Sequence, residues 1–128
     1  MKKLLLIFTL LFSVIFSTTS FAEWEYAGET VVATYYVNFK SIKKVDGYHY
    51  YWDLVDYLKP SAQGTFSSKT YRILDCKLFR TKILSDINYK EPMGTGVGTP
   101  YNVPQENWSY PSPDSILMLV SSIVCNYN

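Results

Sequence analysis

The sequence predicts an α+β domain, an antiparallel sheet with a single C-terminal helix packed on it. Three observations carry this. Aromatic and β-branched residues recur in alternating order through most of the chain, the pattern of half-buried strands. One amphipathic helical stripe follows, only at the end, and strands followed by a helix are the order of α+β folds. The two cysteines, Cys76 in the middle and Cys125 near the C-terminus, would fasten that last segment to the strand region if bonded.

The N-terminus reads as a secretory signal. Lys2 and Lys3 precede an apolar run from Leu4 to Phe16, and Ser20-Phe21-Ala22 puts small residues where a signal peptidase reads. The run falls short of the roughly 20 residues that span a bilayer. Cleavage after Ala22 is expected, leaving one domain over 23–128, in the periplasm, secreted or at the cell surface. No cysteine lies near the cut, so a lipoprotein is not expected. Without Lys2 and Lys3, 10 basic residues face 11 acidic ones, a net charge of −1. Such a balance exerts no general pull on nucleic acid or anionic membrane. Two cysteines in an exported chain are most simply one disulfide, Cys76–Cys125.

Taken in order, Trp24 to Tyr26 reads as a short edge strand. Thr30 to Val37 is a strong strand with Val31, Ala33, Tyr35 and Val37 on one face. Asn38 to Lys44 adds a short one. Asp46-Gly47 signals a hairpin turn, because glycine accepts the positive φ such turns demand. From Tyr48 to Tyr57 alternation places Tyr48, Tyr50, Trp52 and Leu54 together, expected in the core, and His49, Tyr51, Asp53 and Val55 on the other face. Ser67 to Tyr89 suits one long or two short strands, with a bulge or a turn near Asp75 to Lys77. Glu91 to Gln105 is rich in glycine and proline and reads as irregular. Asn107 to Tyr110 reads as a last short strand. Ser112 as cap, Pro113 in the first turn and Asp114 at the positive dipole end open the helix. Ile116, Leu119, Val120 and Ile123 form its stripe, which leaves Cys125 about 180° from Ile116.

The chemistry points away from catalysis. His49 is the single histidine, and Asp53 lies too far along the same strand face for a tight dyad. No second histidine or spare cysteine offers a zinc set, and no cofactor is implied. Gly94-Thr95-Gly96-Val97-Gly98 lacks the Lys-Ser/Thr of a phosphate loop, and Pro100 blocks a following helix. Asp53, Asp56, Asp75 and Asp86 read as scattered, solvated acids. What remains is surface. Lys69, Arg72, Lys77, Arg80 and Lys82 form a positive strip in the central strands, with Tyr71, Tyr51 and Tyr36 nearby. Arginine and tyrosine suit recognition, whereas charge on a sheet also guards against edge-to-edge aggregation.

The chain resembles the surface-adhesin protein E family of Gram-negative bacteria. The resemblance rests on Tyr35-Tyr36-Val37-Asn38 with Ser41-Ile42, and on Ser68 through Cys76, centred on Tyr71-Arg72-Ile73-Leu74-Asp75-Cys76. Met93-Gly94-Thr95-Gly96 and the tail from Pro113-Asp114-Ser115 to Cys125-Asn126-Tyr127 complete it. It implies a sheet of about six strands with a C-terminal helix held by the disulfide. It further implies adhesion to host matrix glycoproteins such as vitronectin and laminin, through Lys69, Tyr71, Arg72, Lys77, Arg80 and Lys82. The other expectation is a small periplasmic structural or ligand-holding domain without a host partner. Neither involves an enzyme.

Overall fold

The computed structural model describes residues 23–101 and 106–128. The signal segment 1–22 lies outside the described residues. Six strands follow one another in space in the order they follow in the chain: β1 (Glu25–Glu29), β2 (Ala33–Val45), β3 (Tyr48–Tyr57), β4 (Ser67–Asp75), β5 (Arg80–Tyr89) and β6 (Thr99–Pro100). Every neighbouring pair is antiparallel. A 3₁₀ turn, Pro92–Gly94, separates β5 from β6, and the helix α1 (Ile116–Asn126) closes the chain.

Local chemistry explains the joints. β2 and β3 are joined by Asp46-Gly47, both at positive φ (51° and 84°), the backbone a two-residue hairpin requires. Ser67 to Tyr89 resolves into two strands around a turn at 76–79. There the Asp75 carboxylate accepts the N–H groups of Lys77 (3.1 Å) and Leu78 (3.2 Å). The shift in alternation comes from this turn and from a bulge between Tyr71 and Arg72, which leaves Leu84 without a partner residue on β4. The strong strand expected over Thr30–Val37 and the short one over Asn38–Lys44 are one long β2 with a register shift between Asn38 and Lys43. It starts at Ala33, because the Thr30 hydroxyl accepts from the N–H of Val32 and Ala33 and holds a turn.

The core lies between α1 and one face of the sheet. Ala27, Val37, Tyr51, Leu74, Val120 and Val124 form it, and each fully buried aliphatic side chain among them contributes about 1.5–3 kcal/mol. This corrects the expected core of β3. Tyr51, fully buried and not exposed, faces the helix with His49, Asp53 and Val55. Tyr48, Tyr50 and Trp52 point to the opposite, helix-free face, where Leu54 is buried by the 3₁₀ turn. Gly28 lets α1 come close to β1: a Cβ there would lie 2.7 Å from Ile116 Cδ1.

The helix starts three residues later than expected. Asp114 sits at φ 62°, which breaks the turn that Ser112 would cap. Ser115 is the cap, its hydroxyl accepting from the Met118 N–H at 3.1 Å. Val120, Ser121 and Val124 are the buried residues, so the stripe centres beyond Ile116 and both Ile116 and Cys125 flank it. Helix geometry therefore runs through Cys125 to Asn126. Cys125 is bonded to Cys76, with the Cα atoms 5.8 Å apart. Asn107 to Tyr110 contributes one bridge, Ser109 to Thr81, in place of a strand.

Candidate functional site

The six residues expected to bind are divided by the sheet. The pleat sends Tyr71 and Lys82 to the helix-free face, and the register there sets Tyr71 opposite Trp52, and Ile73 opposite both Tyr50 and Lys82. The rings meet: Trp52 to Tyr71 at 5.0 Å and Tyr50 to Tyr71 at 6.2 Å between centroids. At the β4–β5 turn end, Trp108 stacks on Tyr48 at 5.8 Å. It is carried there by paired backbone hydrogen bonds between Ser109 and Thr81 (2.8 and 2.9 Å). Arg80 and Lys82 both lie over the Trp108 ring, at 4.4 and 4.7 Å, in cation–π geometry. All these side chains are half-buried, so each keeps surface open to solvent.

The other four residues have different surroundings. Arg80 also donates through Nε to Asp75 at 3.0 Å, so it serves the turn as well as the ring. Lys77 is exposed in that turn. Lys69 sits at the opposite end, beneath the 3₁₀ turn, between Trp24 and Tyr89 at 5.8 and 5.0 Å from their ring centroids. That turn is pinned by Gly94 N–H to Ser67 Oγ and Met93 N–H to Asp56 Oδ1, both 2.8 Å. Arg72 is on the helix-covered face. Its Nε donates to Asp53 Oδ2 at 2.6 Å, and the two side chains are only 16% and 8% exposed.

The acids are accordingly not scattered. Burial pushes the Asp53 carboxyl above its ordinary range, with Arg72 pulling it back. Burial alone would lower Arg72, but Asp53, with Tyr51 and Asp86, outweighs it and holds the guanidinium above its usual value. Asp86 accepts from the Thr70 hydroxyl at 3.2 Å and is raised by burial. Asp75 goes the other way: burial opposes ionisation, but the Leu78 N–H, Arg80 and the Lys77 N–H outweigh it.

His49, on the face of β3 opposite the expected core, is half-buried beside the disulfide, its Nδ1 3.3 Å from Cys76 Sγ. Among the described residues no group of three or more His, Cys, Asp or Glu side chains could hold a metal ion, and no helix is long and apolar enough to cross a membrane. Trp52, Tyr50 and Trp108 are the residues that sequence reasoning missed. The alternation of β3 alone does not say which face is covered; the β3–β4 register, with Tyr51 opposite Arg72 on one face and Trp52 opposite Tyr71 on the other, is what exposes them.

The fold defines a class: an antiparallel meander with a helix locked to one face and aromatic rings and cations left on the other. The chain belongs to the Surface-adhesin protein E family, whose model matches residues 24–126. It is similar to the structure of crystal form II of Haemophilus influenzae protein E, at 21% identity over 83% of this chain and 90% of that one, with a TM-score of 0.65. It is also similar to protein E from non-typeable Haemophilus influenzae, at 18% identity over 86% and 80% of the two chains, with a TM-score of 0.60. At these identities the likeness is one of fold. No curated protein sequence matches the chain. Family membership makes this an adhesin-like surface protein and points to a non-enzymatic role.

Proposed function

We propose that the domain is exported by its signal segment and binds host extracellular-matrix glycoproteins, vitronectin and laminin among them, through the helix-free face of the sheet. The observation that carries this is the row of half-buried rings formed by Trp52, Tyr71, Tyr50 and Trp108 with Lys82 and Arg80 at one end. Rings and cations of this kind supply large contact area at low entropic cost, with polar tips for hydrogen bonds. Lys77, exposed in the adjoining turn, extends the positive charge. Lys69 and Arg72 act indirectly, the first under the 3₁₀ turn and the second beneath the helix. Family membership supports the adhesin reading, and the open face gives it an address.

The test is a Trp52→Ala, Lys77→Glu, Lys82→Glu variant on immobilised vitronectin and laminin, beside Arg80 left intact to preserve the turn. Binding is expected to fall at least tenfold, since truncating one interface hot spot costs about 2 kcal/mol or more. Its circular dichroism and disulfide should be unchanged. Undiminished binding by a folded triple variant overturns the proposal. Antibody labelling of intact cells tests the location: surface labelling is expected, and retention inside the outer membrane contradicts it.

A further inference from the structure

A cleft of about 450 Å³ opens at the corner of the sheet where the β3–β4 loop, the end of β5 and β6 converge. That volume falls in the lower range of sites that hold small ligands. Its walls are fixed by the fold. The loop closes on itself through Ser61 N–H to Thr65 O (2.9 Å), Gly64 N–H to Ser61 O (2.8 Å) and Thr65 N–H to Ser61 Oγ (3.1 Å). Lys90 Nζ donates to the Gln63 carbonyl at 2.5 Å, and both residues line the cleft, so the ammonium sits on its wall. Gly64, at φ 79°, lets that side chain pass: a Cβ there would lie 3.3 Å from Nζ. On the far side Thr99 pairs with Asn88, and the Tyr101 N–H donates to the Asp86 carbonyl at 2.8 Å.

We propose that this cleft binds a carboxylated sugar, a uronate or sialate unit, with its carboxylate on Lys90 and its ring against Tyr101. Charge selects an anion. Lys90 is the one charged residue of the lining, and it is exposed. The ion pairs among the described residues are Arg72–Asp53 and Arg80–Asp75, so Lys90 has no acidic partner there. The acids nearest to it in the chain are turned elsewhere: Asp86 accepts from the Thr70 hydroxyl at 3.2 Å and Glu91 from the Thr95 hydroxyl at 3.4 Å. The Gln63 carbonyl takes one ammonium donor and leaves the others for a ligand carboxylate, in a charge-assisted bond roughly twice as strong as a neutral one. Polar groups around the cleft select a hydroxylated body over a hydrocarbon one. Thr65 and Thr99 bring hydroxyls, and Gln63 and Asn88 bring amides. Asn88 Oδ1 already accepts from Ser68 at 2.8 Å, so Asn88 offers its amide N–H groups to sugar oxygens. The remaining wall selects a ring. Tyr101 is 59% exposed and stands beside the exposed Pro100, and the negative face of an aromatic ring attracts the C–H bonds of a pyranose. None of Trp52, Tyr71, Tyr50 and Trp108 lines this cleft, so it stands or falls independently of matrix binding.

The experiment titrates the intact, disulfide-bonded protein with glucuronate, N-acetylneuraminate, glucose and acetate, following the amide resonances of Gln63, Asn88 and Tyr101. At least one of the two sugar acids is expected to shift them saturably, and the stronger of the two identifies the kind of unit recognised. Glucose, which lacks the carboxylate, and acetate, which lacks the ring, should bind at least tenfold more weakly. Lys90→Met should abolish the preference for the acid over glucose, and Tyr101→Ala should weaken binding of the acid at least fivefold. Both positions are exposed, so the dispersion of the other amide resonances should be unchanged in each variant. Saturable binding of neither acid, binding of glucose or acetate as tight as that of the acids, or undiminished binding of the acid in either variant overturns the proposal.

Discussion

At the scale of single residues, position in the pleat decides what a charge does. Arg72 and Lys82 lie on strands that are hydrogen-bonded neighbours, yet one is sealed under a helix and the other lies over an indole ring. The Arg72–Asp53 pair is a buried ion pair, whose net worth is small but whose halves cannot be removed singly. Arg72→Met is expected to destabilise the domain by about 3–5 kcal/mol, because Asp53 then stays buried without its partner. Replacing both, as Arg72→Met with Asp53→Leu, should recover most of the loss. Urea midpoints of the wild type, the single and the double variant measure this. A double variant no more stable than the single one would show that the pair is more than mutual compensation. The sequence offered both residues but presented them as surface groups. Only their near alignment across β3 and β4, with Arg72 opposite Tyr51 and Thr70 opposite Asp53, brings them together.

At the scale of elements, the joints were more legible than the faces. Asp46-Gly47 announces its hairpin because its backbone preference is intrinsic to the dipeptide. The helix start was misplaced because Ser112-Pro113-Asp114 carries a good local signal that the left-handed Asp114 overrides, handing the cap to Ser115. The centre of the buried stripe was hidden because Ser121, a polar residue, occupies part of it. An 11-residue helix is shorter than the roughly 12–15 residues that isolated helices need in water, so α1 depends on its docking. The disulfide closes a separation of 49 residues, worth about 4 kcal/mol in the chain-entropy model. A Cys76→Ala, Cys125→Ala variant is therefore expected to lose about 2–4 kcal/mol. Amide exchange should accelerate most in α1, with β3 and β4 far less affected. Exchange that accelerates equally in all elements would mean that the clamp stabilises the sheet as much as the helix.

At the scale of the whole molecule, the architecture was legible and its polarity was not. Alternation in β3 shows that it has two faces, but both carry large aromatic residues, so burial could not be assigned from hydrophobicity. The face bearing a histidine and an aspartate became the inner one, because Arg72 satisfies the acid and the tethered helix covers the rest. His49 sits where β3, the disulfide and the end of α1 meet, and so it reports on the closed assembly. Burial lowers its proton affinity in the folded state, with Lys44 adding to the effect. The unfolded chain takes up the proton near the ordinary histidine value of about 6.5. Between that value and the lower folded one, the unfolded state binds more protons, so stability falls as pH falls. Asp53 and Asp86, raised by burial, work in the opposite sense and gain stability on acidification. Asp75, held low by its turn, loses its contribution only below the ordinary carboxylate range. Thermal midpoints of the wild type and His49→Gln at pH 7.5 and 5.0 separate these terms. The wild type should lose more on acidification, each unit of His49 displacement being worth about 1.4 kcal/mol. Parallel curves for the two proteins would mean that closure over the disulfide places no load on this imidazole.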